Sequence, residues 1–167
     1  MAYHVYSGER KVPLQEVALN GAKAAAGLVS LGVGDGDSFA TITRNDIAML
    51  ETKVAGNLIG AYAVPVNWHA TAEEAGYILA DSGAKVVVVH ADLLPGIASE
   101  LPDGMPVLVC PTPPEIADAY GIPPESRSVP TGAINHETWR DGFEPWTKAP
   151  PLERGSSLSA SRPEETK

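Results

Sequence analysis

Val86, Val87, Val88 and Val89 form an unbroken β-branched run, and that run sets the strongest constraint on this chain. Such side chains pack well on a pleated strand. Successive residues of a strand point to opposite faces, so a wholly apolar run must be covered on both. This is the pattern of a central strand in a parallel sheet flanked by helices. The rest of the sequence supplies partners. Leu14, Val17, Ala18, Gly21, Ala24, Ala25, Leu28 and Leu31 recur at spacings of three and four, which predicts a helix ending at Gly32. Residues 38–43 read as a strand. Asn45 is expected to cap a helix with Ile47, Leu50, Val54 and Leu58 on its apolar face. Gly60 is placed to close that helix in the left-handed conformation. Residues 61–66 read as extended, with Pro65 marking where pairing stops.

Asn67, Trp68 and His69 then form a polar-aromatic turn. Thr71 and Glu74 have the spacing of a capping box, and Gly83 ends the helix that follows. Residues 92–101 predict a short irregular helix interrupted at Pro95-Gly96, and residues 106–110 a buried strand. Alternation of this kind implies an α/β fold with a largely parallel sheet and flanking helices. Residues 1–11 read as a polar lead-in. Beyond Pro111 the pattern weakens to short helices at 115–120 and 135–141, the latter anchored by Trp139. The folded body is expected over 1–143, followed by a Pro/Ser-rich linker over 144–167.

The chain has 167 residues, 44% of them hydrophobic and 20% charged, which suits one globular domain. A net charge of −9 and only 6% aromatic residues argue against nucleic-acid partners. Cys110 is the single cysteine, so no internal disulfide forms, and the expected compartment is the cytoplasm. No basic and apolar leader is visible at Met1, and no apolar run approaches the ~20 residues of a membrane span.

Few residues suggest chemistry. His4, His69, His90 and His136 lack metal-ligand spacing with one another, with Cys110 or with a carboxylate pair, so no metal site is expected. Cys110 reads as a small hydrophobe at a strand end. Gly32, Gly34 and Gly36 alternate like a nucleotide loop, but they follow a helix and precede a strand, and Asp35 and Asp37 would repel phosphate. Glu73 and Glu74 are explained by the favourable placement of negative charge in a first helical turn. Trp68 and His69 lie just past a strand end, where α/β folds place ligand crevices; the competing role for the indole is packing the loop onto a helix.

The wording of residues 60–89 is more specific than their architecture. Gly60-Ala61, Val64-Pro65 and Asn67 resemble the G-A-x-x-V-P-x-N strand of the adenylate-forming (ANL) superfamily, which includes acyl-CoA synthetases, peptide-synthetase adenylation domains and luciferase. Thr71, Glu74 and Tyr77-Ile78-Leu79 resemble its T-x-x-E-x-x-Y-I-L helix, and residues 81–85 its D-S-G-A-K segment. Asn67-Trp68 leans towards the acyl-CoA synthetase branch. The resemblance covers residues 13–167 and implies the opening portion of that family's large N-terminal domain. It also implies ATP, Mg2+ and CoA as cofactors of a full-length member and the remainder of the synthetase chain as partner. As a free fragment the chain is expected to expose apolar surface and to associate as a homo-oligomer.

The family's phosphate loop ending in Pro-Lys-Gly, its aromatic-Gly-x-Thr-Glu and Thr-Gly-Asp segments and its distal lysine have no counterpart in this sequence. Thr131-Gly132 is followed by Ala133, and the serine-rich run at 155–161 has no Pro-Lys-Gly after it. The chain is expected to stop just before the first catalytic motif, so no catalytic, cofactor-binding or metal residue is assigned. Three readings stay open: a synthetase portion, a non-catalytic scaffold or dimerisation module of that descent, and an independent small ligand-binding domain.

Overall fold

Phe39, Val86, Val88 and Leu108 pack into one apolar cluster, while Ala40, Val87, Val89 and Val109 pack into a second. Alternate residues of the same strands thus serve two cores, one on each face of a sheet. A computed structural model describes residues 3–151. Its elements in chain order are β1 (His4–Ser7), β2 (Arg10–Pro13), α1 (Leu14–Ser30), β3 (Ser38–Ile42), α2 (Ile47–Ile59), β4 (Tyr62–Pro65) and α3 (Ala72–Asp81). β5 (Ala84–His90), α4 (Leu94–Ile97), β6 (Val107–Cys110), α5 (Pro114–Tyr120), β7 (Ile134–Asn135) and α6 (His136–Asp141) follow. β3 to β7 form one parallel sheet in the order β4-β3-β5-β6-β7. Residues of α1, α2 and α6 complete the first cluster, and residues of α3 and α4 the second.

The four expected strands are all in this sheet, and residues 86–89 are fully covered within β5. The Thr71 capping box is present in both directions, with the Thr71 N–H donating to Glu74 at 2.8 Å and the Glu74 N–H to Thr71 Oγ1 at 3.2 Å. Gly60 ends α2 at φ 74°.

Several expectations need correction. The cap of α2 is Asp46, not Asn45: the Met49 N–H donates to Asp46 Oδ1 at 3.1 Å. Asp46 is fixed there because its other oxygen faces Arg10 and His90. The buried face of α2 is also rotated from Ile47, Leu50, Val54 and Leu58 to Ile47, Glu51, Thr52, Ala55, Gly56 and Ile59. Two polar residues are tolerated there because both are satisfied. Glu51 accepts from Asn20 and Arg140, and the Thr52 hydroxyl donates to the Met49 carbonyl. Pro95 does not interrupt the helix after β5; it lies in the first turn of α4, where its missing N–H is not needed. The change to a 3-10 turn comes at Ala98.

Residues 4–13 are no lead-in but an antiparallel hairpin, β1 with β2. The available signal was the turn at Gly8-Glu9 between two short strands. Of residues 144–167, those at 152–167 lie outside the described residues. Trp146 packs partly buried against the first core, and its backbone N–H donates to the Ala22 carbonyl at 2.9 Å.

Candidate functional site

β3 is followed in the chain by its neighbour on one side, β4, and pairs with β5 on the other. Connections that leave a strand in opposite directions open a crevice beyond its carboxyl end, the usual ligand position of open α/β sheets. Here that position holds Thr43 and Arg44 after β3, and His90 and Asp92 at the end of β5.

The crevice is filled by the protein's own groups. Arg44 Nη1 donates to Asp92 Oδ2 at 2.7 Å, with both side chains less than a tenth exposed. The Thr112 hydroxyl donates to Asp92 Oδ1 at 2.5 Å, and the Asp92 N–H returns a bond to Thr112 Oγ1 at 3.3 Å. The guanidinium of Arg44 lies 4.6 Å from the Trp68 ring and 4.8 Å from the Tyr120 ring, a cation–π contact on each. Arg44 therefore ties together the segments after β3, β4, β5 and β6. Beside it, His90 Nδ1 accepts the Arg44 backbone N–H at 3.2 Å, so the ring nitrogen that carries a proton is Nε2. That nitrogen is 3.3 Å from Asp46 Oδ2, within ion-pair distance but misaligned for a hydrogen bond.

A cavity of about 340 Å3 opens next to this network, lined by residues that include Arg10, Asn20, Asp46, Glu51, Thr112 and Arg140. Burial raises the Glu51 carboxyl, against the lowering effects of Asn20 and Arg140. Burial, and then the charge of Asp46, holds the Cys110 thiol well above its ordinary range. Cys110 is thus an inert thiol packed in the first core. Burial drives His136 down to about 4, so its imidazole is neutral at pH 7.

This donor set does not fit the phosphates of a nucleotide. Arg10, Arg44 and Arg140 each already face a carboxylate. The N-terminus of α2, which opens onto this edge of the sheet, is capped by the carboxylate of Asp46. Among the described residues no group of three or more His, Cys, Asp or Glu side chains is arranged to hold a metal ion.

Of the residues singled out from the sequence, Trp68 does join this edge, as a half-buried packing partner of Arg44 and Tyr120. His69 is exposed, stacked on Trp68 with ring centroids 3.4 Å apart. Glu73 and Glu74 occupy the first turn of α3. Arg44, Asp92, Thr112 and Asp46 were not singled out. The available signal was position: Thr43-Arg44-Asn45-Asp46 and Asp92 are polar residues directly following apolar strands.

The fold and this edge define a doubly wound α/β body whose switch point is closed by its own charged and aromatic side chains. Residues 2–151 match the AMP-binding enzyme family, and the chain belongs to it. It is 35% identical over 89 residues to a 2-succinylbenzoate–CoA ligase of Geobacillus sp., a match covering 53% of this chain and 18% of that protein. It is likewise 35% identical over 98 residues to a feruloyl-CoA synthase of Amycolatopsis sp., covering 57% of this chain and 20% of that one. The matched stretch is thus about a fifth of the length of these relatives. A solved anthranilate CoA ligase with bound anthranoyl-AMP shares the fold at a TM-score of 0.71 and 22% identity, over 86% of this chain and 26% of that one. No helix among the described residues is long and apolar enough to cross a membrane.

Proposed function

We propose that this chain is the opening portion of an ATP-dependent acyl-CoA synthetase, and that it does not perform the reaction alone. The reaction would convert a carboxylate, ATP and CoA to acyl-CoA, AMP and pyrophosphate, with Mg2+ as the accompanying ion. The observation that carries this reading is the family match over residues 2–151 combined with coverage of only about a fifth of each CoA-ligase relative. The closed crevice supports the second half of the proposal, because catalysis of adenylate formation needs preorganised donors around developing phosphate charge. The body over residues 1–143 supplies scaffold, and residues 144–167 lead towards the remainder of the synthetase, its principal partner. A role in fatty-acid metabolism and a cytoplasmic location belong to the same proposal.

The test is pyrophosphate release with ATP, Mg2+, CoA and a panel of fatty and aromatic acids. The 167-residue chain is compared with a chain extended by its downstream reading frame through a phosphate loop. Turnover by the extended chain alone is expected. Turnover by the short chain would overturn the statement that it does not act alone, whereas a stop codon directly after Lys167 with no turnover would overturn the synthetase reading and favour a scaffold module.

A further inference from the structure

The β1–β2 hairpin stands apart from the rest of the molecule. It belongs to its own two-stranded sheet, none of its residues from 4 to 13 is buried, and none joins a hydrophobic core cluster. Yet Arg10 and Val12 of β2 form part of the wall of the 340 Å3 cavity, which also contains Cys110 and Thr112. The anchors that hold this wall in place are polar. Arg10 Nε is 3.1 Å from Glu115 Oε1, and Arg10 Nη2 is 3.7 Å from Asp46 Oδ2. The Ser7 hydroxyl donates to the same Glu115 oxygen at 3.0 Å. At the tip, Gly8 has φ 56° and sits so close to Glu115 that a Cβ there would lie 2.8 Å from Glu115 Cβ.

We propose that the β1–β2 hairpin is a hinged flap over this cavity. It opens as a unit when the Arg10 and Ser7 contacts to Glu115 and Asp46 break, while the five-stranded sheet stays intact. An element held by a few polar contacts and no buried apolar side chains has a low local opening energy, whereas β5 opens only with the whole domain. The hinge falls at Pro13, where β2 passes directly into α1. Opening exposes the cavity and, within it, the sole thiol of the chain.

That thiol is the reporter. Cys110 in the 167-residue chain is labelled with N-ethylmaleimide across a urea series below the unfolding transition, and the single adduct is read by mass spectrometry. Amide hydrogen exchange is followed in parallel. Labelling is expected to be nearly independent of urea, and hairpin amides to exchange faster than those of Val87 and Val88. Arg10→Met is expected to accelerate labelling severalfold, as for loss of partly exposed ion pairs, and to leave exchange at Val87 and Val88 unchanged. Labelling that follows global unfolding in both proteins, or a folded Arg10→Met with an unchanged labelling rate, overturns the proposal. Should Arg10→Met not fold, Ser7→Ala removes a single hydrogen bond; a severalfold acceleration supports the flap and no change overturns it.

Discussion

Gly27 of α1 lies directly beneath the indole of Trp139 on α6: a Cβ on Gly27 would sit 2.5 Å from both Cζ2 and Cη2 of that ring. Trp139 is itself held, edge-on, by Phe143 at 5.4 Å between ring centroids. Replacing Gly27 by Ala gains about 1 kcal/mol of helix propensity. Against that, overpacking a rigid indole costs roughly 1–3 kcal/mol. Gly27→Ala is therefore expected to lower the urea midpoint. Gly96→Ala, with no atom within 4 Å of the added methyl group and no positive φ, is the control and is expected to leave it unchanged or raise it. A stabilised Gly27→Ala would show that α6 yields easily.

The cap of α3 and the core of β5 differ in what their loss removes. Thr71→Ala deletes an exposed cap worth about 1 kcal/mol. Val88→Ala opens a cavity at a residue that is 1% exposed and costs roughly 2 kcal/mol or more. Denaturant melts should rank Val88→Ala as the more damaging, and the reverse order would contradict the burial assignment.

His136 gives the stability curve a defined acid limb. Its pKa falls from 6.5 to about 4 on folding, chiefly through burial. Below pH 6.5 the unfolded chain takes up a proton that the folded chain refuses, so this contribution is fully present above 6.5 and is lost as the pH falls towards 4. The loss amounts to about 3 kcal/mol at most. Glu51, whose carboxyl is raised by burial, acts with the opposite sign. The His136 component is isolated by comparing urea midpoints of the natural chain and His136→Gln from pH 4 to 7.5. The difference between the two should narrow as the pH falls; a constant difference would refute the assignment.

Arg44→Met strands the Asp92 carboxylate, 7% exposed, beside two aromatic rings. Removing one partner of a buried pair costs about 3–5 kcal/mol. Pairing it with Asp92→Leu should recover much of that loss, and urea melts followed by circular dichroism measure both. Equal destabilisation by the single and double variants would show that the aromatic sandwich, rather than the ion pair, holds this edge.

The sheet was readable because its signal is local. Four valines, alternating helix stripes and glycines at 32, 60 and 83 each carry their meaning within a few residues. The Thr71 box was readable for the same reason. The buried polar network was not, because Arg44, Asp92 and Thr112 are far apart in the chain and meet only through the sheet. Glu51 shows the limit of periodicity: a carboxylate on the inner face of α2 makes sense only once Asn20 and Arg140 are seen beside it. The hairpin was overlooked because both strands are short and half-exposed, which blurs the alternation on which strand recognition relies.

The strand order carries a consequence for the chain during its own synthesis. β3 acquires β4 soon after both have left the ribosome, but its other edge is matched by Ala84, Val87, Val88 and Val89. At ~5–20 residues per second, those valines follow Pro65 after an interval on the order of seconds. Throughout that interval the Phe39–Ile42 segment has one unpaired apolar edge, the kind of surface that recruits chaperones or neighbouring nascent chains. Codon usage between β4 and β5 thereby sets how long the nascent protein is most vulnerable.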